Sequence, residues 1–248
     1  MIPLQIGTAG WAIPRAIAER FPEDGGGLER YAARFNAAEI NSTFYRSHRP
    51  ATYARWRDST PPAFRFAVKC PRAITHDAKL LDTQARLERF LSEAGLLGEK
   101  LGPVLVQLPP SLAFDAAVAE RFFSGLRAAF AGGAACEPRH PSWFEAEADA
   151  LLEAHRVARV AADPARHPMA GEPGGWRGLA YWRLHGSPVM YRSAYDETRL
   201  RALAERLCAG RGETWCVFDN TTTGAAAANA LDLKAMIARC GDSRVFGG

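Results

Sequence analysis

Short, nearly continuous apolar runs alternate with longer segments in which apolar residues recur three and four positions apart. A run that is apolar throughout is typical of a strand buried on both faces, and the longer spacing is typical of a helix. Eight runs of the first kind predict strands at residues 3–8, 37–41, 64–69, 103–108, 134–138, 157–162, 179–185 and 214–218.

The segments between these runs predict helices. The pattern is strongest over residues 83–97, where Leu87, Phe90 and Leu91 fall on one face. Asp115 is a suitable N-cap for the segment that follows the fourth strand. The predicted helices cover residues 28–35, 83–97, 115–130, 145–155, 197–209 and 225–239, with a shorter connection around 50–56.

Eight strands that alternate with helices within 248 residues predict one α/β domain over residues 1–248, a (β/α)8 TIM barrel. An open doubly wound sheet is the competing fold. The glycine-rich dinucleotide fingerprint of that fold does not follow the first strand. Residues 163–178, rich in Pro and Gly, replace a full helix and are expected to form a mobile loop over the pocket.

Composition narrows the class of protein only slightly. The net charge of +4 permits an anionic ligand, but there is no long basic run of the kind that marks a dedicated nucleic-acid binder. No apolar run approaches the roughly 20 residues of a membrane span, and the start of the chain does not resemble a signal peptide. Five cysteines without a Cys-x-x-Cys pair indicate buried thiols. We therefore expect a cytoplasmic protein with no membrane partner.

Polar and ionisable residues gather where the apolar strands end. In a barrel of this type the active site lies at the C-terminal ends of the strands. Residues two apart in a strand share a face, so Glu39 and Asn41 point together, as do Glu137 and Arg139, and Arg183 and His185. Burying such charges costs several kcal/mol each unless they are paired, which favours a functional reason for them.

The same strand ends carry a series of short motifs: Gly7-Thr8-Ala9-Gly10-Trp11, Glu39-Ile40-Asn41-Ser42-Thr43-Phe44-Tyr45-Arg46, Phe66-Ala67-Val68-Lys69, Thr75-His76, Gln107-Leu108-Pro109-Pro110, Glu137-Pro138-Arg139-His140-Pro141-Ser142-Trp143, the stretch 181–186, and Asn220. In content and order these motifs resemble the YecE-like family, the domain of unknown function 72. The resemblance implies a barrel of the same type and no settled activity. Pro138 and Asp219 depart from the family pattern, and the second departure argues against a carboxylate role shared by the whole family.

The leading functional hypothesis is an enzyme, a hydrolase or isomerase, that acts on a small anionic or phosphate-bearing substrate without a cofactor. Arginine forks suit phosphate and carboxylate oxygens. Internal ion pairing within the barrel is the competing interpretation of the same cations. The hypothesis assigns general acid–base roles to Glu39, Glu137 and His185, and substrate binding to Asn41, Tyr45, Lys69, His76, Gln107, Arg139, His140, Trp143, Arg183 and Asn220.

Other functions remain open. An imidazole and three carboxylates at Glu137, Asp163, His185 and Asp219 would suit Mn, Mg or Zn, as in metal-dependent sugar isomerases or abasic-site endonucleases. A nucleic-acid or nucleotide binding protein without catalysis would use exposed aromatic residues for stacking. A glycosidase pair of Glu39 and Glu137 is a further alternative.

Overall fold

The computed structural model describes residues 4–210 and 212–243, so Pro3 of the predicted first strand lies outside the described residues. Ten strands and seven helices alternate along it. The strands are β1 (Leu4–Thr8), β2 (Ala37–Ile40), β3 (Arg65–Lys69), β4 (Leu101–Gln107), β5 (Ala134–Glu137), β6 (Val157–Arg159), β7 (Ala161–Asp163), β8 (Gly174–Gly175), β9 (Leu179–Leu184) and β10 (Glu213–Phe218).

The strands form two sheets. One has the order β1-β10-β9-β7 and the other has the order β2-β3-β4-β5-β6-β8. Every pairing is parallel except that of the short β8 with β6. The predicted α/β class with parallel strands is therefore confirmed.

Helices connect successive strands. Asp115 caps one of them, because its carboxylate accepts a hydrogen bond from the backbone N–H of Val118 at 3.0 Å. Shorter helical turns follow several strands and reverse the chain near the strand ends. The helices are α1 (Gly27–Ala32), α2 (Pro50–Asp58), α3 (Gln84–Ala94), α4 (Ala116–Ala129), α5 (Ala146–Ala154), α6 (Glu197–Ala209) and α7 (Ala225–Ser243).

The two sheets approach each other at both edges. Val160 lies between β6 and β7 in one continuous segment, and its N–H donates to Cys136 O of β5 at 2.9 Å. At the other edge, Ala9 N donates to Phe218 O at 2.9 Å and Gly10 N donates to Glu39 O at 2.8 Å. Consecutive residues after β1 thus bond to one strand of each sheet.

Four predicted segments differ from the structure or gain detail from it. The sixth predicted strand is divided into β6 and β7, because each half pairs with a different sheet. The predicted helix over 83–97 ends at Ala94, where a 3-10 turn begins, and the last helix extends to Ser243. Part of the segment 163–178 is held against β6, by β8 and by Arg159, which donates to Met169 O at 2.7 Å. Its mobility over the pocket stays a prediction.

Apolar side chains fill two zones, one on each face of the strands. The outer zone packs the strands against the helices. The inner zone lies between strands of the two sheets and includes Ala67, Leu105, Tyr181 and Trp215. Tyr181 and Trp215 stack there, with ring centroids 6.0 Å apart and ring planes 2° from parallel. Burial on both faces explains why the strands read as continuous apolar runs.

Two further expectations concern burial and membranes. Cys70, Cys136 and Cys216 are buried as predicted, whereas Cys208 is half-buried and the side chain of Cys240 lies outside the described residues. Within the described ranges, no helix has both the length and the apolar character required to cross a membrane.

Candidate active site

The inner apolar zone ends in a layer of charged side chains. Residues two apart in a strand share a face. The residue two positions after each apolar residue of the inner zone therefore also points inward, and it lies at the C-terminal end of its strand. Ala67 is thus followed by Lys69, and Tyr181 is followed by Arg183. This layer, named here the charged layer, comprises Glu39, Lys69, Glu137, Arg139, Arg183, His185 and Asp219, with Gln107 beside it.

Arg183 lies at the centre of the charged layer and is fully buried, at 0% exposure. Its guanidinium donates to Glu39 Oε1 at 2.7 Å and Oε2 at 3.0 Å, to Glu137 Oε2 at 2.6 Å, and to Asp219 Oδ2 at 3.1 Å. Burial opposes its charge, but the three carboxylates outweigh burial and hold the pKa of Arg183 well above its ordinary value. Arg183 is therefore an internal cross-link between strands.

Glu39 is held by two donors of β9, Arg183 and Tyr181. The carboxylate is 0% exposed, and the phenolic O–H of Tyr181 donates to its Oε2 at 2.9 Å. Both oxygens of Glu39 are bound to Arg183. These hydrogen bonds from Arg183 and Tyr181 hold the Glu39 carboxylate in one orientation. Its general acid–base role stays a prediction.

Glu137 accepts four hydrogen bonds, which fill its usual acceptor positions. The donors are Arg139 at 2.5 Å, Arg183 at 2.6 Å, His185 at 2.7 Å and Gln107 at 2.9 Å. Burial alone would raise the pKa of Glu137, but the nearby Arg139, Arg183 and His185 hold it well below its ordinary value. The carboxylate is therefore fixed as an anion that organises its neighbours.

His185 lies between two carboxylates and is fully buried. Its Nδ1 is 3.0 Å from Asp219 Oδ2 and its Nε2 is 2.7 Å from Glu137 Oε1. Nε2 also lies 3.1 Å from Arg139 Nη2. Burial would raise the pKa of Asp219, but Arg183 and His185 lower it. His185 is thereby held in one orientation.

Lys69 differs from the other cations of the charged layer. It is only 6% exposed, yet among the described residues its Nζ makes no ion pair or hydrogen bond. Its Nζ lies over the ring of Phe44, 4.1 Å from the ring centroid. Burial, followed by the charge of Arg183, lowers the pKa of Lys69 to about 8, although Glu39, Glu137 and Asp219 act in the opposite direction. Lys69 can thus exchange a proton near neutral pH.

Local contacts fix the end of the strand that carries Lys69. Thr43 follows β2 in a short 3-10 turn, and its hydroxyl donates to Lys69 O at 2.7 Å and to Ile40 O at 2.9 Å. The same turn places Phe44 beneath the ammonium. Two neighbouring strands and one turn therefore set the position of Lys69.

Several predicted substrate contacts are used for internal structure. Trp143 is 1% exposed and donates from Nε1 to Leu112 O at 3.0 Å, so it packs in the core. His140 caps the following turn, with Nδ1 3.2 Å from Ser142 N. Asn220 is fully buried and joins Ser193 O to Asn229. Tyr45, by contrast, is 76% exposed.

Other predicted binding residues keep atoms that could meet a ligand, and so does Asn220, whose buried Oδ1 has no hydrogen-bond partner in the described part of the chain. Arg139 has a buried Nε, and Asn41 a buried Oδ1, that lack a hydrogen-bond partner in the described part of the chain. Gln107 is 9% exposed and uses its amide nitrogen on Glu137. His76 is half-buried, with Nδ1 2.9 Å from Thr75 Oγ1 and its ring edge-on to Phe44.

The predicted metal ligands do not form a coordination site. Across residues 4–210 and 212–243, no group of three or more His, Cys, Asp or Glu side chains is arranged to hold a metal ion. Asp163 instead accepts a hydrogen bond from Tyr195 at 2.9 Å. Both nitrogens of His185 face carboxylates and Arg183 lies between those carboxylates, so a cation would meet an arginine. The donor set therefore does not fit a divalent metal.

Tyr191 is a site residue that the predicted set omitted. Its ring lies edge-on to His185, with centroids 5.6 Å apart, and its φ of 66° is in the left-handed region. Backbone strain of this kind persists only where surrounding contacts impose it. The loop after β9 carries Tyr191 over the imidazole, and only its aromatic character marked it in the sequence.

The sequence also matches a known family. The family model described as protein of unknown function DUF72 covers residues 5–244. The chain belongs to the DUF72 family. The resemblance inferred from the strand-end motifs is thereby confirmed.

Individual relatives agree with this assignment. The UPF0759 protein YecE of Escherichia coli K12 is 31% identical over 142 residues, which cover 57% of this chain and 50% of the relative. The matched region thus spans about half the length of that curated relative. A DUF72 family protein of Thermotoga maritima has a TM-score of 0.78 and 27% identity, covering 95% of this chain and 99% of the other.

More distant structures share the fold alone. A DUF72 family protein of Enterococcus faecalis has a TM-score of 0.79 at 18% identity, with 95% of each chain covered. The 3-keto-D-glucoside 4-epimerase YcjR of Escherichia coli has a TM-score of 0.52 at 11% identity, covering 97% of this chain and 100% of the other. The likeness of the DUF72 fold thus extends to an enzyme.

Proposed function

We propose that this chain is an enzyme that acts on a small anionic or phosphate-bearing substrate, with Lys69 as the group that attracts the anion and transfers a proton. The observation that carries the proposal is a nearly buried ammonium without a carboxylate partner in the described residues. Burying an unpaired charge lowers stability, so such a group is more easily explained by a ligand than by the fold.

The pKa of about 8 suits Lys69 to this work. General acid–base catalysis is most effective when the pKa of the group lies near the working pH, and lysines are tuned to this range by burial. The neutral amine would accept a proton from the substrate or from its attacking water. The resulting ammonium would return that proton to the leaving or rearranged oxygen.

Arg139 supplies the second contact in the proposal. Its Nη2 is bound to Glu137 at 2.5 Å, whereas its buried Nε has no partner in the described part of the chain. A substrate oxygen would complete that donor, because buried N–H groups are rarely left unpaired. Glu137 and His185 would then act as positioning residues that hold the guanidinium plane fixed.

The site would lie at the mouth of a closed (β/α)8 barrel. The support is the pair of sheet edges that approach each other through Val160 and through Ala9 and Gly10. Gly7 adds to this, because a side chain there would collide with the carbonyl of Ala37 on β2. Placement at the C-terminal ends of barrel strands is typical of enzymes with this fold. A crystal structure in which β1 and β2 are separated would contradict closure.

The proposal is tested with a panel of phosphorylated sugars, phosphorylated acids and simple carboxylates. Turnover is followed by phosphate release and by proton NMR, so that hydrolysis and isomerisation are both detected. We expect saturable turnover of at least one class in the parent protein. Lys69→Met should lower kcat by at least 100-fold, in the range typical for loss of a general acid–base.

The matched control is Lys79→Met, the same substitution at an exposed lysine. This variant should retain the parent rate. Glu137→Gln should lower kcat, because Arg139 would no longer be held in place. The plot of kcat against pH for this variant should still show the inflection near pH 8 that is due to Lys69. Turnover that survives Lys69→Met would overturn the proposal. Binding of nucleic acid with a steep salt dependence and no turnover would favour the binding-protein alternative.

A further inference from the structure

A separate cavity of about 400 Å³ lies beside the charged layer, between helices α2 and α3 and the loops that precede them. Its volume lies within the range of small-molecule sites, roughly 300–1,000 Å³. Phe44 separates it from the mouth: one face of the ring carries Lys69 and the same residue lines the cavity. The cavity is therefore adjacent to the proposed active site but is built from different charged residues.

The cavity has an excess of positive charge. Four arginines and two carboxylates line it, which gives a net charge of +2, from Arg46, Arg72, Arg86 and Arg89 against Asp77 and Glu93. Each carboxylate is already paired, Asp77 with Arg72 and Glu93 with Arg89, both at 3.0 Å. Within the described residues, Arg46 and Arg86 have no ion pair and remain available to an anion.

Tyr53 provides an independent indication of a ligand. The residue is 0% exposed and lines the cavity, yet its hydroxyl has no hydrogen-bond partner among the described residues. An unpaired buried hydroxyl is destabilising, because it loses its water contacts without replacing them. A ligand oxygen or nitrogen seated on α2 would supply the missing partner.

The remaining lining favours a flat ring next to the anion. Phe44 and Phe90 present apolar surface to the cavity. The ring of Tyr45 stands edge-on to Phe44, with centroids 5.0 Å apart, and is 76% exposed. An exposed aromatic face of this kind is a platform on which a planar heterocycle can stack.

We propose that this cavity binds a phosphomonoester that carries a flat ring, such as a nucleoside monophosphate, with the phosphate on Arg46 and Arg86. The net charge of +2 matches a phosphate dianion, and guanidinium groups bind phosphate oxygens in pairs. The hydroxyl of Tyr53 bonds to the sugar or the ring, and the ring packs on Phe44 and Tyr45. This inference does not depend on the enzymatic proposal for Lys69.

The test is isothermal titration calorimetry of the full chain with adenosine 5′-monophosphate and cytidine 5′-monophosphate. Arg46→Ala and Arg86→Ala should each weaken binding at least tenfold. Arg201→Ala is the matched control, since it removes the same charge from an exposed arginine on α6, and it should bind as the parent does. Adenosine and inorganic phosphate should each bind at least tenfold more weakly than the nucleotide.

Tyr53→Phe separates a binding role from a structural one. The substitution removes only the unpaired hydroxyl, so the ligand-free protein should be as stable as the parent or slightly more stable. Affinity for the nucleotide should nevertheless fall about fivefold, by roughly the value of one neutral hydrogen bond. A structural hydroxyl would show the opposite pattern, with lower stability and unchanged affinity.

Lys69→Met distinguishes this inference from the enzymatic proposal. Binding in the cavity should change by less than about threefold in that variant. Nucleotide binding that is lost in Lys69→Met but retained in Arg86→Ala would place the ligand in the mouth and overturn the inference alone. The inference would also be overturned if no binding were detected at millimolar nucleotide concentrations. Tighter binding of a single-stranded oligonucleotide than of the mononucleotide at the same residues would overturn it as well.

Discussion

The ammonium nitrogen of Lys69 lies 4.1 Å from the centroid of the Phe44 ring. Within the described residues this cation–π contact stands in place of an ion pair, while Glu39, Glu137 and Asp219 stabilise the ammonium only from beyond ion-pair distance. The pKa of Lys69 is lowered from 10.5, the value in a model peptide, to about 8, because burial of the ammonium is not fully offset. The residue therefore lowers stability in its charged form.

We predict that Lys69→Met stabilises the protein at pH 7. Between pH 8 and 10.5 the unfolded chain binds more protons at this site than the folded chain, so the contribution of Lys69 to stability rises with pH across that window. The gain in the variant should be roughly 1 kcal/mol, or about 2–4 °C for a chain of this size. Thermal unfolding at pH 7 and pH 10 measures it. A lower melting temperature at pH 7 would show that the ammonium is stabilised in the fold.

A second prediction concerns the pH dependence of anion binding at the mouth. The ammonium attracts an anion and the neutral amine does not, so affinity should be full below about pH 7 and should decline as pH rises through about 8. Titration of the substrate identified in the turnover screen, from pH 6 to pH 10, measures this. Affinity that is constant over that range would exclude Lys69 as the anion contact.

We expect Arg183→Met to be strongly destabilising. The substitution would leave Glu39, Glu137 and Asp219 buried without their shared cation. Breaking a buried ion pair in this way typically costs about 3–5 kcal/mol. Urea unfolding measures the loss, and Arg201→Met at an exposed position should stay within about 0.5 kcal/mol of the parent. Equal stability of the two variants would show that Arg183 is not the organising residue.

Acid stability should depend on Glu137. Its pKa is depressed in the folded state, so the stability it contributes is present above the unfolded value near 4.5 and is lost as pH falls below it. Glu137→Gln should be less stable than the parent at pH 7 by about 2–3 kcal/mol, with a flatter dependence on pH below 4.5. The free energies of unfolding of the parent and the variant should therefore approach each other as pH falls from 7 to 3. A difference in the free energy of unfolding that is the same at every pH would contradict this account.

Gly7→Ala tests the approach of β1 to β2. The new Cβ would collide with Ala37 O, and overpacking of this kind costs about 1–3 kcal/mol. Gly27→Ala at the start of α1 is the control, because a Cβ there meets nothing within 4 Å. The control should be neutral or slightly stabilising. Equal stability of both variants would indicate that the two strands are not in contact.

Much of this arrangement was predictable because it depends on local periodicity. The two-residue repeat placed Glu39, Glu137 and Arg183 on the inner face, and the parallel order of strands brought their ends together. The capping role of Asp115 was likewise local. The motifs at the strand ends identified the family for the same reason, since each motif is a short continuous stretch.

The sequence did not determine which cation is neutralised. Arg183 and Lys69 look alike as strand-end cations, but Arg183 reaches Glu39 across 144 positions of sequence, whereas Lys69 faces a ring. That difference depends on the register between distant strands, which periodicity does not set. The same limit applies to the metal hypothesis, because Arg183, which bonds to both Glu137 and Asp219, comes from β9 and not from either of their strands.

Arg183 bonds to carboxylates at the ends of β2, β5 and β10 from its own position on β9. One side chain thus couples strands of both sheets, in the manner of a covalent staple. A local opening that separates one of these strands would break the shared network and leave buried charges without a partner. The amide hydrogens at the four strand ends should therefore exchange with solvent as one cooperative unit, slowly and together, while the loops above them exchange independently.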